Sequence, residues 1–96
     1  MGKLKFDWDK GNLMKSETKH GIFKDEAVSV FEDNQRVVYF DVKHSTKVES
    51  RYICIGKSNL ERILFCYFTL RSERIRIIGC RIANKREQHE YEALKK

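Results

Sequence analysis

Residues Lys3–Trp8 alternate, with Leu4, Phe6 and Trp8 on one side and Lys3, Lys5 and Asp7 on the other. A period of two belongs to a strand with one buried face, so the chain is expected to open on a short strand. Asp9 then stands where a helix over Lys10–Lys19 would take its cap, with Leu13 and Met14 toward one side and Gly21 closing it. Ala27 and Phe31, one helical turn apart, predict a second helix over Lys24–Phe31, with Phe23 as its N-terminal staple. Glu32–Gln35 reads as a turn.

Strand-like runs follow. Arg36–Val42 is rich in β-branched and aromatic residues, and the polar stretch Lys43–Glu49 reads as a loop. Arg51–Gly56 puts Arg51, Ile53 and Ile55 on one face. Arg62–Leu70 is apolar on both faces, the pattern of a central strand. After a turn at Ser72-Glu73, Arg74–Ala83 returns as the last strand, and its alternation breaks at Ile78-Gly79, where a bulge is expected. Asn84 with Glu87 three residues on gives a cap and its reciprocal acid for a helix over Lys85–Leu94. Short connections make successive strands antiparallel neighbours. The expected fold is α+β in one domain over residues 1–96: two N-terminal helices, an antiparallel sheet of about four to five strands, and a C-terminal helix.

Charge sharpens the picture. Twenty Lys and Arg against 14 Asp and Glu leave a net charge of +6. Such a surface favours polyanions, either nucleic acid or an acidic protein. Residues 71–96 hold eight basic and four acidic side chains, so this quarter carries most of the excess. Most of these cations are arginines, whose planar guanidinium suits bidentate phosphate contacts. No apolar run is long enough to cross a bilayer, and no signal-peptide core is seen, so a cytoplasmic protein is expected. Cys54, Cys66 and Cys80 form no C-x-x-C pair and lie in apolar, strand-like stretches. Buried reduced thiols are expected rather than a disulfide framework or zinc site.

The chain lacks the clustered carboxylates of a two-metal nuclease, a phosphate-binding glycine loop and an acyl-transfer signature. No metal and no cofactor are expected. Metal-free attack of a ribose 2′-hydroxyl on the adjacent phosphate needs a base, cations for the developing charge, and an acid for the leaving oxygen. Arg51, Arg76 and Arg81 are the candidate cations, and strand register could aim Arg51 and Arg76 across one sheet face. A solvated edge of a basic domain accounts for them as well. Glu49, two residues before Arg51, is either a base or a salt-bridge partner that fixes the guanidinium. His20 is either a proton shuttle or a helix-terminal residue against the last carbonyls. His44, in a polar loop, and His89, on a charged helix face, carry less. Trp8 either stacks on a base, packs the core or binds a protein partner; Lys19 and Arg74 are cations placed for RNA contact. Tyr91 reads as a core anchor with a hydroxyl near a polar group, and Phe65, Tyr67 and Phe68 as core material.

Taken in order, these pieces form a series. Trp8-Asp9, Lys19-His20-Gly21, Glu49 with Arg51, and Arg76-Ile77-Ile78 with Arg81, Ala83, Glu87 and Tyr91 resemble the BrnT family of bacterial toxins. The resemblance runs from Phe6 to Leu94 and takes in Phe23, Ala27 and Phe31, Asp33, and His44-Ser45. It departs at Asn12, where the family commonly has lysine, at Ser16, where it has asparagine, and at Gly79, where it has serine. The resemblance implies a RelE-like fold and a ribonuclease toxin of a type II toxin–antitoxin pair that cuts RNA without metal and inhibits translation. It supports a catalytic set of Arg51, Arg76, Arg81, Glu49 and His20, with Trp8 and Lys19 on the RNA; Arg74, expected there too, lies outside the matched positions. It also implies an antitoxin with a ribbon-helix-helix DNA-binding domain, through which alone the toxin would reach operator DNA. The competing class is an RNA-binding or corepressor subunit that cuts weakly or not at all.

Overall fold

In a computed structural model, residues 4–7 and 21–94 are described. The expected helix over Lys10–Lys19 and its cap Asp9 lie outside these residues, as do the candidates Trp8, Lys19 and His20. Gly21 has φ +66°, the left-handed conformation suited to a residue that closes a helix.

Strands β1 (Val37–Phe40), β2 (Arg51–Lys57), β3 (Ile63–Arg71) and β4 (Arg74–Ile82) form one antiparallel meander, side by side in chain order. β2 and β3 occupy the middle, which is why β3 is apolar in both directions. The expected opening strand contributes a single parallel bridge, Phe6 to Ile75. There the Ile75 N–H donates to the Lys5 carbonyl and the Asp7 N–H to the Ile75 carbonyl, each at 2.8 Å. Among the described residues the sheet therefore has four strands.

Each face of the sheet has its own cover. Helix α1 (Lys24–Val30) packs Ala27 and Val30, with Ile22 and Phe31, over Cys54, Leu64, Cys66, Phe68, Ile77 and Cys80. Phe31 meets Phe6 and Phe68 edge-on, with ring centroids 5.6 and 5.1 Å apart. A seven-residue helix is too short to persist alone, so tertiary contacts must hold it. The staple falls one residue earlier than expected: Phe23 is the N-cap and 61 % exposed, whereas Ile22 before it is fully buried with Ala27. Buried Glu26 completes the attachment. It accepts hydrogen bonds from Arg62 Nε (2.8 Å) and Nη2 and from Ser58 Oγ (2.7 Å). The Arg62 guanidinium holds the Glu26 carboxyl below its usual range.

On the other face, helix α2 (Lys85–Leu94) buries Tyr91 against Ile53 and Ile55. Its start is the expected reciprocal cap: Asn84 Oδ1 accepts the Glu87 N–H and Glu87 Oε1 accepts the Asn84 N–H, both at 2.9 Å. The Tyr91 hydroxyl donates to Asp33 Oδ2 at 2.6 Å, the polar partner anticipated for it. Burial pushes the Asp33 carboxyl up. Hydrogen bonds from the Lys57 N–H, the Tyr91 hydroxyl and the Gln35 N–H outweigh that and hold it low.

The cysteines require a correction. Cys54, Cys66 and Cys80 stand in one row across β2, β3 and β4, all fully buried. Cys66 and Cys80, 14 residues apart and with Cα atoms 4.2 Å apart, are joined as a disulfide. Sequence spacing suggests no pairing, but antiparallel register sets distant positions directly opposite on one face. Only Cys54 stays a free thiol, and burial pushes its pKa up to about 12.

Candidate active site

Directly paired residues of adjacent strands share a face, so the register builds the site in rows. Arg51 opposes Thr69, and Thr69 opposes Arg76. The next row holds Tyr39, Ile53, Tyr67 and Gly79, and the one beyond it Val37, Ile55, Phe65 and Arg81. Arg76 and Arg81 are separated by an odd number of positions, which a regular strand would turn to opposite faces. The bulge prevents this. Tyr67 opposes Gly79 and Phe68 opposes Ile77, so Ile78 is an extra residue in β4 that returns Arg76 to the side of Arg81.

A pocket of about 480 Å³ opens on this face over Ile53, lined by Arg51, Arg81, Tyr39, Phe65, Tyr67 and the pair Asp41–His44. Arg81 is a fixed cation. Its Nη1 and Nη2 donate to the two carboxylate oxygens of Glu87 at 2.7 and 2.8 Å, and its guanidinium lies 4.2 Å from the centre of the Phe65 ring. The Glu87 hydrogen bond raises the Arg81 pKa further, so its charge is permanent. Burial pushes Glu87 up, but Arg81 and the Asn84 N–H outweigh it and hold that carboxyl below its usual value.

Arg51 is held more loosely. Its Nε donates to Glu49 Oε1 at 3.0 Å, and Glu49 Oε2 lies 3.7 Å from Arg71. Glu49 is thus in the salt-bridge arrangement, and it lines a neighbouring hollow with Thr69 and Arg71 rather than the pocket. The loop before β2 is tied to the Arg51 backbone. The Arg51 N–H donates to Ser45 Oγ and the Asp41 N–H donates to the Arg51 carbonyl, both at 2.8 Å. His44 Nδ1 lies 2.8 Å from Asp41 Oδ2.

The predicted site residues divide accordingly. Arg51 and Arg81 share the pocket. Half-buried Arg76 stands in the Arg51 row without bordering the pocket. Arg74 is exposed beside the Ser72-Glu73 turn, in a separate hollow with Leu4 and Lys5. Phe68 is core as expected, but Phe65 and Tyr67 are half-buried pocket walls. A strand apolar on both sides does not disclose which side is filled. Tyr39 and Asp41 fall outside the candidates read from sequence, and His44, ranked there below His20, lines the pocket. The local signal was Asp41 three residues before His44, the spacing at which an aspartate caps a backbone N–H. At Gly79, an added Cβ would sit 2.8 Å from the Tyr67 hydroxyl. The phenol lies across β4 where a side chain would otherwise stand.

Among the described residues no three His, Cys, Asp or Glu side chains are grouped to hold a metal ion, and no helix is long and apolar enough to cross a membrane. Among curated proteins the chain has no match. A family model, described as the ribonuclease toxin BrnT of a type II toxin–antitoxin system, matches residues 8–87. The match takes in the whole sheet, both arginines of the pocket and Glu87. The chain therefore belongs to the BrnT family of ribonuclease toxins of type II toxin–antitoxin systems.

Proposed function

We propose that the chain cleaves RNA without metal, by attack of a 2′-hydroxyl on the adjacent phosphate, and that this arrests translation in the cytoplasm. The observation that carries the reading is the pocket. Two guanidinium groups, Arg51 and Arg81, border one aromatic-walled hollow whose volume lies in the range of small-ligand sites. Arg51 and Arg76 hold the phosphate and stabilise the charge that builds on it, while Glu49 keeps the Arg51 guanidinium in position. Arg81, already braced by Glu87, contributes a fixed positive field. From the segment before Gly21, His20 enters as a proton-shuttle candidate and Trp8 and Lys19 as RNA contacts, with Arg74 as an outlying one. The partner is an antitoxin that neutralises the toxin and carries a ribbon-helix-helix domain, which alone bears the pair to operator DNA.

One observation favours a second reading. Both terminal nitrogens of Arg81 are taken up by Glu87, which leaves less cation for a phosphate. A subunit of this kind would bind RNA, or act as corepressor, and cut weakly or not at all. Product chemistry separates the two. Incubation of the purified chain with a labelled RNA in chelator should give a 2′,3′-cyclic phosphate end, and added antitoxin should suppress it. Binding without any cut, with and without ribosomes, would move the assignment to the second reading.

A further inference from the structure

The pocket contains a group that neither the arginine series nor Glu49 accounts for. Asp41 follows β1 directly, and its N–H continues the pairing with β2 by donating to the Arg51 carbonyl at 2.8 Å. Period two places it on the face of Tyr39, and its side chain is only 12 % exposed. Its two carboxylate oxygens hold His44 twice: Oδ1 accepts the His44 backbone N–H at 3.3 Å and Oδ2 faces the ring Nδ1 at 2.8 Å. Ser45 fixes the same turn, donating from Oγ to the Asp41 carbonyl at 2.7 Å and accepting the Arg51 N–H. A carboxylate at Nδ1 selects the tautomer with the proton on that nitrogen, so Nε2 carries the lone pair. The imidazole is bound on its Asp41 side and 61 % exposed, in the same pocket as Arg51 and Arg81.

We infer that His44, positioned by Asp41, is the proton-transfer residue of this pocket. The inference rests on the ribonuclease reading above and adds the base that reading lacks among the described residues, since Glu49 is engaged with Arg51. In the step, the 2′-oxygen forms a bond to phosphorus as its proton passes to His44 Nε2. The bond from phosphorus to the 5′-oxygen breaks, and that oxygen takes a proton from water. The imidazolium then returns its proton to solvent, so the residue is regenerated and no electrons are exchanged. Arg51 carries the charge on the phosphate during transfer. Asp41 is a positioning residue: it fixes the tautomer and stabilises the imidazolium. The titratable and charged groups that line the pocket with His44 are Tyr39 of β1, Asp41 just after it, Arg51 of β2, Tyr67 of β3 and Arg81 of β4. The two arginines keep their charge across the accessible pH range.

The test is single-turnover cleavage of an RNA oligonucleotide from pH 5 to 9 by the parent, His44→Ala, Asp41→Asn and His89→Ala, all with intact fold by circular dichroism. Binding of a 2′-O-methyl RNA is measured alongside. His44→Ala should lose roughly a hundredfold or more in rate, bind the methylated RNA like the parent, lose the acidic limb of the pH profile, and recover in part with added imidazole. Asp41→Asn should lose roughly tenfold and displace that limb. His89→Ala, exposed on α2, should match the parent. If the parent cuts and His44→Ala cuts equally well with the same pH profile, the inference is overturned while the ribonuclease reading stands. If binding falls as far as cleavage, His44 is a binding group and the inference is equally overturned. A parent that never cuts removes both.

Discussion

Arg51 of β2 and Arg76 of β4 flank Thr69 of β3 in one row of the sheet, and they share a face because Ile78 is an extra residue in β4. Two cations so placed can both meet the phosphate backbone of one strand. Binding of a 2′-O-methyl RNA should therefore weaken steeply as salt rises. Each of Arg51→Ala and Arg76→Ala should lower the slope of log affinity against log salt by roughly 0.7, the value for one single-strand phosphate contact. A flat salt response in the parent would mean that this charge serves a protein partner instead.

Arg81 answers to the fold as well as to RNA. Its bidentate pair with Glu87 ties β4 to the first turn of α2. Arg81→Ala should cost about 2 kcal/mol of stability, because it leaves a largely buried carboxylate without its main partner. Arg51→Ala removes a half-exposed cation and should cost less than about 1 kcal/mol. Denaturant unfolding reads both. Equal losses for the two would refute the distinction.

The β3–β4 hairpin is strained at a known place. Arg71 pairs with Arg74, and the two residues between them, Ser72 and Glu73, have φ of 49° and 64°. That is a two-residue turn of the type that favours Asn-Gly. Glu73→Gly should raise stability by about 1 kcal/mol, less the added freedom of the unfolded chain. A lower melting temperature for Glu73→Gly would contradict the assigned turn.

Acid should unfold the chain through three carboxylates. Glu26, Asp33 and Glu87 are all held below their ordinary values by the partners described above. A carboxyl that is more acidic in the folded state lends stability that is complete above its unfolded value. That stability is lost as pH falls through the lowered folded value. Unfolding free energy should thus be level from neutral pH to about pH 5 and then drop. Glu26→Gln should lower the neutral plateau and shrink the drop. A free energy that holds or rises toward pH 3 would count against all three pairings.

Much of this was legible in the sequence. Alternation located β2 and β4, an unbroken apolar run located β3, the break at Ile78-Gly79 marked the bulge, and the Asn84–Glu87 spacing marked the cap. These are local signals, each set by the backbone period or by one short hydrogen-bonded ring. What stayed hidden needs register. Nothing local says that Cys66 meets Cys80, that Tyr91 reaches Asp33, or that Arg62 clasps Glu26. The candidate site shows the same split. Arg51 and Arg81 were legible as strand arginines, whereas the pocket walls Phe65 and Tyr67 looked like core because β3 is apolar on both sides. Ile22 took the staple position from Phe23 because N-cap geometry turns Phe23 to solvent, a distinction of one residue that periodicity does not resolve.

The most direct measurement is single-turnover RNA cleavage in chelator by the parent, Arg51→Ala, Arg76→Ala and Arg74→Ala, each shown to be folded. Arg74 is the internal control: close in sequence to Arg76 but in a separate hollow beside the hairpin turn. The account predicts a metal-independent cut by the parent. It predicts losses of about 10²–10³ in rate, or ~3 kcal/mol, for Arg51→Ala and Arg76→Ala, and a far smaller loss for Arg74→Ala. It is contradicted if folded Arg51→Ala and Arg76→Ala cut like the parent, or if the parent cuts only when magnesium is restored.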